Sequence, residues 1–331
     1  MSTFPDSIPI LTPTLMRHPS ILLRSVSVAT ALLLILTALF SPSVLSGIEL
    51  PLLFLSVFLI GIPHGAIDHI MASEIFNLKK TLRSHLLFYG SYLLIMLFVG
   101  ALWVFFPVVG MILFLLISVY HFGQADMEDF MDAHRGGFDR IFHTIRGILI
   151  IGCIIFSDLT MTIPVMADAM GLSANQLMSW MPDATIALSV IFAIYALSIV
   201  VGMLQKRFSS PIAVIFDSIL LVSLFLLTGP FVGFAVYFAL WHSAGHVQEM
   251  REYFQGHQKE LSLGRFYWLA TPFTLISIVG LFLLWGLNQV FMLEEQMITL
   301  MFILISVLTL PHMLIVDRMY ENPTATYPQS R

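Results

Sequence analysis

Residues 48–70 read IELPLLFLSVFLIGIPHGAIDHI. The stretch opens as an apolar run suited to lipid and closes with two histidines, an aspartate, two glycines and a proline within ten residues. Ionisable groups at membrane depth are costly, so they mark functional sites by default. Around this stretch the whole chain is greasy: 331 residues, 58% hydrophobic, 11% charged, mean hydropathy +0.91. A soluble domain is about half apolar and about a quarter charged, so the composition identifies an integral membrane protein. The single cysteine, Cys153, excludes an intrachain disulfide. Residues 1–20 lack a basic segment followed by an apolar core, so no cleaved signal peptide is expected. No basic block points to nucleic acid.

A membrane-spanning helix needs about 20 mostly apolar residues. Ten segments qualify: 22–41, 49–72, 84–106, 109–126, 139–157, 184–204, 211–228, 231–250, 266–287 and 297–317. Their length and continuity predict an all-α polytopic bundle rather than a β-barrel. Threading ten spans from a cytoplasmic N-terminus puts Arg17, Arg24, Lys79, Lys80, Arg83, Arg135, Arg140, Arg146, Lys206, Arg207, Arg251, Lys259, Arg265, Arg318 and Arg331 at the inner side. The outer loops receive Glu49, Asp158, Asp168, Asp183, Glu294 and Glu295 instead. That separation satisfies the positive-inside rule and places both termini in the cytoplasm. The expected organisation is a polar tail over 1–20, one transmembrane catalytic domain over 21–320 and a short tail over 321–331. No internal repeat suggests two inverted halves.

Of eleven histidines, His18, His85, His134, His143 and His257 fall in loops or near helix ends and read as interfacial or solvated groups. The other six are His64 and His69 in GIPHGAIDH, His121 in VYHFGQAD, His242 and His246 in LWHSAGHV, and His312 in LPHMLIVDR. All six lie in the last half of even-numbered spans, so one slab near the cytoplasmic end would hold them. His242 and His246 are four apart and share a helix face, the way a helix offers two imidazoles to one metal. Asp68, four residues after His64, is placed to hold that imidazole in one tautomer. Asp126 follows His121, and Asp317 follows His312, at a less well aligned spacing of five. Gly61, Pro63 and Gly65 loosen the helix so that His64 can reach a cavity.

Imidazole-rich sites suit iron, copper or zinc. Four neutral imidazoles on an octahedral iron leave two positions for O₂ and substrate. Tyr120, Phe122, Tyr237, Phe238 and Trp241 lie near the histidines in sequence and suit a long apolar substrate.

The four histidine motifs, in this order, resemble the Brp/Blh family of β-carotene 15,15′-dioxygenases from bacteria and archaea. The similarity runs from about residue 50 to 320. It implies a multi-pass enzyme of the cell (cytoplasmic) membrane that uses Fe(II) and O₂ to split the central double bond of β-carotene into two retinal molecules, typically for a microbial rhodopsin. Carried over by motif, the implied iron ligands are His64, His121, His242 and His246. His69, His312, Asp68 and Asp126 become their supports. β-Carotene is about as long as the hydrocarbon core is thick, roughly 30 Å. Because the histidines are displaced toward the cytoplasm, an upright substrate would miss them, so a tilted substrate arriving sideways is expected. The residues alone leave other readings open: a haem protein, a histidine-box desaturase or hydroxylase, or a proton-coupled transporter using a His/Asp relay. Haem needs only two axial ligands, the HxxHH boxes of desaturases are absent from the sequence, and a transporter would bind no metal.

Overall fold

The computed structural model describes residues 21–79, 81–128, 130–131, 137–256, 259–291 and 296–321. The expectations attached to Arg17, His18, Lys80, His134, Arg135, His257, Glu294, Glu295, Arg331 and the two tails fall outside the described residues, apart from Glu321. Among the described residues the protein is all-α, with one isolated bridge between Met131 and Phe208 and no strand.

The chain runs α1 (Ile21–Phe40), α2 (Pro42–Ser56), a π-helical turn (Val57–Gly61), α3 (Ile62–Gly65), α4 (Asp68–Ile75), α5 (Leu82–Phe105) and α6 (Pro107–Glu128). It continues through α7 (Asp139–Phe156), α8 (Leu159–Met170), α9 (Ala174–Trp180), α10 (Ala184–Leu204) and α11 (Pro211–Val236). A second π-helical turn (Tyr237–Ser243), α12 (Ala244–Gly256), α13 (Leu263–Phe291) and α14 (Met297–Glu321) complete it. Local chemistry sets many ends. Thr81, Asp158, Ser173 and Asp183 each accept a hydrogen bond from a first-turn backbone N–H, satisfying donors that a helix start leaves free. Gly171, at φ 64°, closes α8 in the left-handed region that glycine enters without penalty.

Eight helical stretches among the described residues are long and apolar enough to cross a membrane. The chain is therefore a multi-pass membrane protein. α7 and α8 form a further stretch bent by 99°. At 18 residues α7 is about 27 Å long and can span by itself, which leaves α8 lying across the end of the bundle. The longest stretch, Pro211–Gln255, has 45 residues. Straight, it would reach about 68 Å, over twice the hydrocarbon thickness of about 30 Å. It is not straight. Gly229 turns the chain with φ 81° and ψ 174°, followed by Pro230. Trp241 Nε1 donates to Asp217 Oδ1 at 2.7 Å, although 24 residues of helix would separate them by about 36 Å. The two halves are thus an antiparallel pair, as the spans expected at 211–228 and 231–250 require.

Charge-assisted bonds and close backbone approach hold the centre. Arg146, fully buried on α7, donates to Asp126 of α6 (2.9 Å), Asp217 (2.6 Å) and Ser218 (2.8 Å) of α11, and Tyr195 of α10 (3.0 Å). Arg146, expected a turn or two into its helix at the inner side, is drawn fully inside by two carboxylates in the bundle. His143, expected at an interface, is also buried, its ring 6.4 Å from Tyr120. The reason is the tightness of the α6–α7 crossing, where Gly123 lies on the His143 carbonyl and Gly147 on the Val119 carbonyl. Small residues permit such approach where lipid supplies no hydrophobic drive for helix association.

α5 and α13 are the most lipid-exposed, with 11% of the spanning window buried, against 56% for α14. They form one outer wall, and α14 stands inside it.

A methyl group at Gly147 would overlap the Val119 carbonyl oxygen, whereas Gly90 on α5 has open space. Gly147→Ala is expected to destabilise the protein by about 1–3 kcal/mol and Gly90→Ala to be neutral. Thermal unfolding of the two variants in the same detergent measures the difference.

Candidate metal centre

The elements that deliver His64, His242 and His312 are locally irregular. The π-helical turn Val57–Gly61 precedes α3, Pro63 stands in its first turn, and the helix breaks at Ala66–Ile67 before α4. His64 Nδ1 bonds to the carbonyl of Gly61. His242 lies in the second π-helical turn. π-Bulges are frequent at functional sites because they re-aim a side chain without ending the helix. His121 lies on α6, His246 on α12 and His312 on α14 after Pro311.

These five rings meet. His121 and His242 centroids are 4.8 Å apart, His242 and His246 4.8 Å, His121 and His246 5.3 Å. His64 lies 5.2 Å from His242 and 4.8 Å from His312, and His312 is 5.3 Å from His121. All five are buried. His121, His242 and His246 offer ring nitrogens within 4.8 Å of one another, close to the ~4 Å between opposite nitrogens on an imidazole-ligated ion. His246 is parallel to both His64 and His121 (9° in each pair), while His242 and His312 stand at 82–89° to the other four except one another.

The hydrogen-bond inventory tests whether a metal fits. His64 Nε2, both nitrogens of His121 and of His246, His242 Nδ1 and His312 Nε2 are buried without a hydrogen-bond partner. Leaving one such atom unpaired costs about 1–3 kcal/mol, and here they converge. Lone pairs facing a cation resolve this. Two of the opposite nitrogens agree: His64 Nδ1 faces a carbonyl and His312 Nδ1 bonds Asp68 Oδ1 at 2.8 Å. Nδ1–H facing an acceptor leaves Nε2 as the lone-pair nitrogen. A buried group of histidines able to hold a metal ion is therefore present.

The remaining expected site residues divide. His69 is not in the cluster. It is half-buried between Phe273 (4.6 Å) and Tyr89 (6.3 Å). Its five-residue offset from His64 already turns it by about 140° on a helix. Asp68 serves His312 rather than His64, and its second oxygen accepts from Tyr92 at 2.8 Å. Asp126 does not reach His121, because Arg146 and the Tyr237 hydroxyl (3.0 Å) occupy its carboxylate. Asp317 accepts from Gln124 at 3.1 Å.

A cavity of about 350 Å³ adjoins the histidines. Phe122 and Phe238 line it as expected. Tyr237 and Trp241 instead bond Asp126 and Asp217, and Tyr120 sits beside His143. The other aromatic walls are Phe88, Tyr89 and Tyr92 of α5 and Phe273 of α13. Nothing near the histidine motifs announced them, since both helices look like plain lipid-facing spans. Glu249, whose Oε2 lies 3.1 Å from His246 Nδ1, was also missed, although its place three residues after His246 was a usable signal.

His121→Ala and His242→Ala are each expected to abolish stoichiometric metal in purified protein, and His69→Ala to retain it. Elemental analysis of the three variants provides the comparison.

Comparison with known proteins follows the same lines. A family model described as Beta-carotene 15,15'-dioxygenase matches residues 55–320. A curated protein of Halobacterium salinarum, "Probable beta-carotene 15,15'-dioxygenase Blh", is 28% identical over 291 residues, covering 80% of this chain and 82% of its own. A "Beta-carotene 15,15'-dioxygenase" from uncultured marine bacterium 66A03 is 25% identical over 275 residues, covering 80% of this chain and 92% of its own. No solved structure matches.

Proposed function

The chain belongs to the beta-carotene 15,15′-dioxygenase family of carotenoid-cleaving enzymes, and from that membership we propose that it splits the central double bond of β-carotene with O₂, giving two molecules of retinal. One carbon–carbon double bond breaks and two carbonyls form, so both oxygen atoms are accounted for. The observation that carries the reading is a group of buried, unpartnered imidazole nitrogens of which His64, His121, His242 and His312 line an apolar cavity. Iron(II) is the proposed ion, held by His64, His121, His242 and His246, and it would supply the activation of O₂ that an unreactive polyene needs.

The chain's own residues supply position and exclusion. The Gly61 carbonyl faces Nδ1 of His64 and keeps its Nε2 on the cavity side. Phe122 and Phe238 flank His242, with ring centroids at 4.6 and 5.6 Å. Their faces hold a conjugated segment beside the histidines and keep water away. Regioselectivity then depends on how far the chain lets the polyene slide.

The cavity also suggests the direction of approach. Its walls run from Phe88 to Met96 on α5, Phe273 to Ser277 on α13 and Ile305 to His312 on α14. These segments are only about 6–12 Å tall, well short of the bilayer core. Leu93 and Ile276 line the cavity yet are 55% and 65% exposed on the lipid-facing surface. A carotenoid dissolved in the bilayer would pass between α5 and α13 and lie across the helices. Lys79, Arg140, Arg207, Lys259 and Arg318 flank the bundle end nearer the histidines; contacts such as Lys259–Glu74 (2.5 Å) and Arg207–Asp139 (3.1 Å) tie its loops together. That end would face the cytoplasm of a cell membrane, and released retinal could pass to a microbial rhodopsin.

Expression in a β-carotene-accumulating bacterium is expected to bleach the cells and yield retinal, with chromatography as the readout. His242→Ala should leave the carotene intact; bleaching by that variant would refute the reading. The doubly substituted Leu93→Trp/Ile276→Trp protein should keep its iron but need several-fold more carotene for half-maximal rate, with kcat little changed. An unchanged KM would refute lateral access.

A further inference from the structure

We propose that His312 is itself a metal ligand, oriented by Asp68 and Tyr92, so that five imidazoles rather than four face the ion. This rests on the metal reading above and extends it to a residue from the last helix.

Position is the first support. The His312 ring lies 4.8 Å from His64, 5.3 Å from His121 and 6.0 Å from His246. Ring contacts among the other four span the same range, from 4.8 Å between His121 and His242 to 6.0 Å between His64 and His246. His312 is therefore no more peripheral than His64.

Its hydrogen bonds are the second. Nδ1–H donates to Asp68 Oδ1 at 2.8 Å, and Asp68 Oδ2 accepts from Tyr92 at 2.8 Å. A carboxylate behind an imidazole is the arrangement that orients a metal-bound histidine and raises its basicity. Here it joins α4, α5 and α14 through one carboxylate. What remains is Nε2, buried and without a partner.

The third support is substrate chemistry. A purely hydrocarbon polyene has no group that could hydrogen-bond Nε2. A substrate-orienting role would leave that atom unpaired with substrate bound, and ligation satisfies it.

The test uses the full-length protein in detergent, loaded anaerobically with Fe(II) or with Co(II) as a spectroscopic probe. Affinity is measured by competition with a chelator. His312→Gln is expected to weaken both ions more than tenfold and to shift and intensify the visible bands of bound Co(II), as loss of a ligand requires. Asp68→Asn keeps shape and ligand but removes the charge behind the ring, and should weaken binding by about 10–100-fold. His69→Gln should match wild type. Wild-type affinity and spectrum in His312→Gln, with metal lost in His242→Gln, would overturn the proposal and leave a four-histidine centre. If His312→Gln does not fold, Asp68→Asn decides, and unchanged affinity there overturns it. A wild-type protein that binds neither ion overturns both this inference and the metal reading. Retinal formation by wild type is scored separately; its absence with metal bound refutes the substrate and not the ligand set.

Discussion

The guanidinium of Arg146 is the interaction around which the bundle is organised. It is fully buried between two carboxylates, Asp126 and Asp217, with hydroxyls of Tyr195 and Ser218 on its remaining donors. A charge at that depth is tolerable only when paired and hydrogen-bonded, and removing one partner of such a set typically costs about 3–5 kcal/mol. The geometry therefore has little freedom. It fixes α6 against α7 and both against α10 and the 211–255 hairpin. The two carboxylates also reach the histidine centre: Asp126 accepts from Tyr237 and Asp217 from Trp241, both in the π-helical turn that carries His242. A stabilising ion network thus sets where the His242 side chain points.

The centre itself depends on irregularity. A regular α-helix commits every interior carbonyl to its own ladder, and its side chains repeat at fixed angles. At 57–61 and 237–243 the ladder loosens by one residue per turn. One carbonyl, that of Gly61, becomes the partner that sets the His64 tautomer. Neutral imidazoles with an unpartnered nitrogen turned toward one point are what a soft or borderline cation needs. The surrounding apolar wall keeps water from competing for those nitrogens.

Access follows from what the bundle leaves loosely covered. α5 and α13 both pack against α14 yet present most of their surface to lipid. The cavity reaches the surface at Leu93 and Ile276, where its lining and the lipid-facing surface are the same side chains. Aromatic rings of Tyr89 and Phe273, with His69 between them, stand beside that path. A substrate confined to the bilayer needs no aqueous mouth.

The sequence by itself determined the membrane class, the all-α architecture and the histidines that the fold brings together, save that His69 stands apart. Hydropathy, charge placement and spacing are local quantities, and lipid allows few backbone solutions. The four motifs also carried the family. Only the tertiary structure decided the pairings. Asp68 looked like the partner of His64, four residues away, and turned instead to His312, 244 residues away. Asp126 looked like a support for His121 and was taken by Arg146, because a buried guanidinium competes for a carboxylate more strongly than a neutral imidazole does. Three of the five aromatics near the motifs face other partners, and α5 and α13 supply the walls in their place. Helix periodicity says which residues share a face; which helix meets that face depends on packing between segments hundreds of residues apart, and no local pattern encodes it.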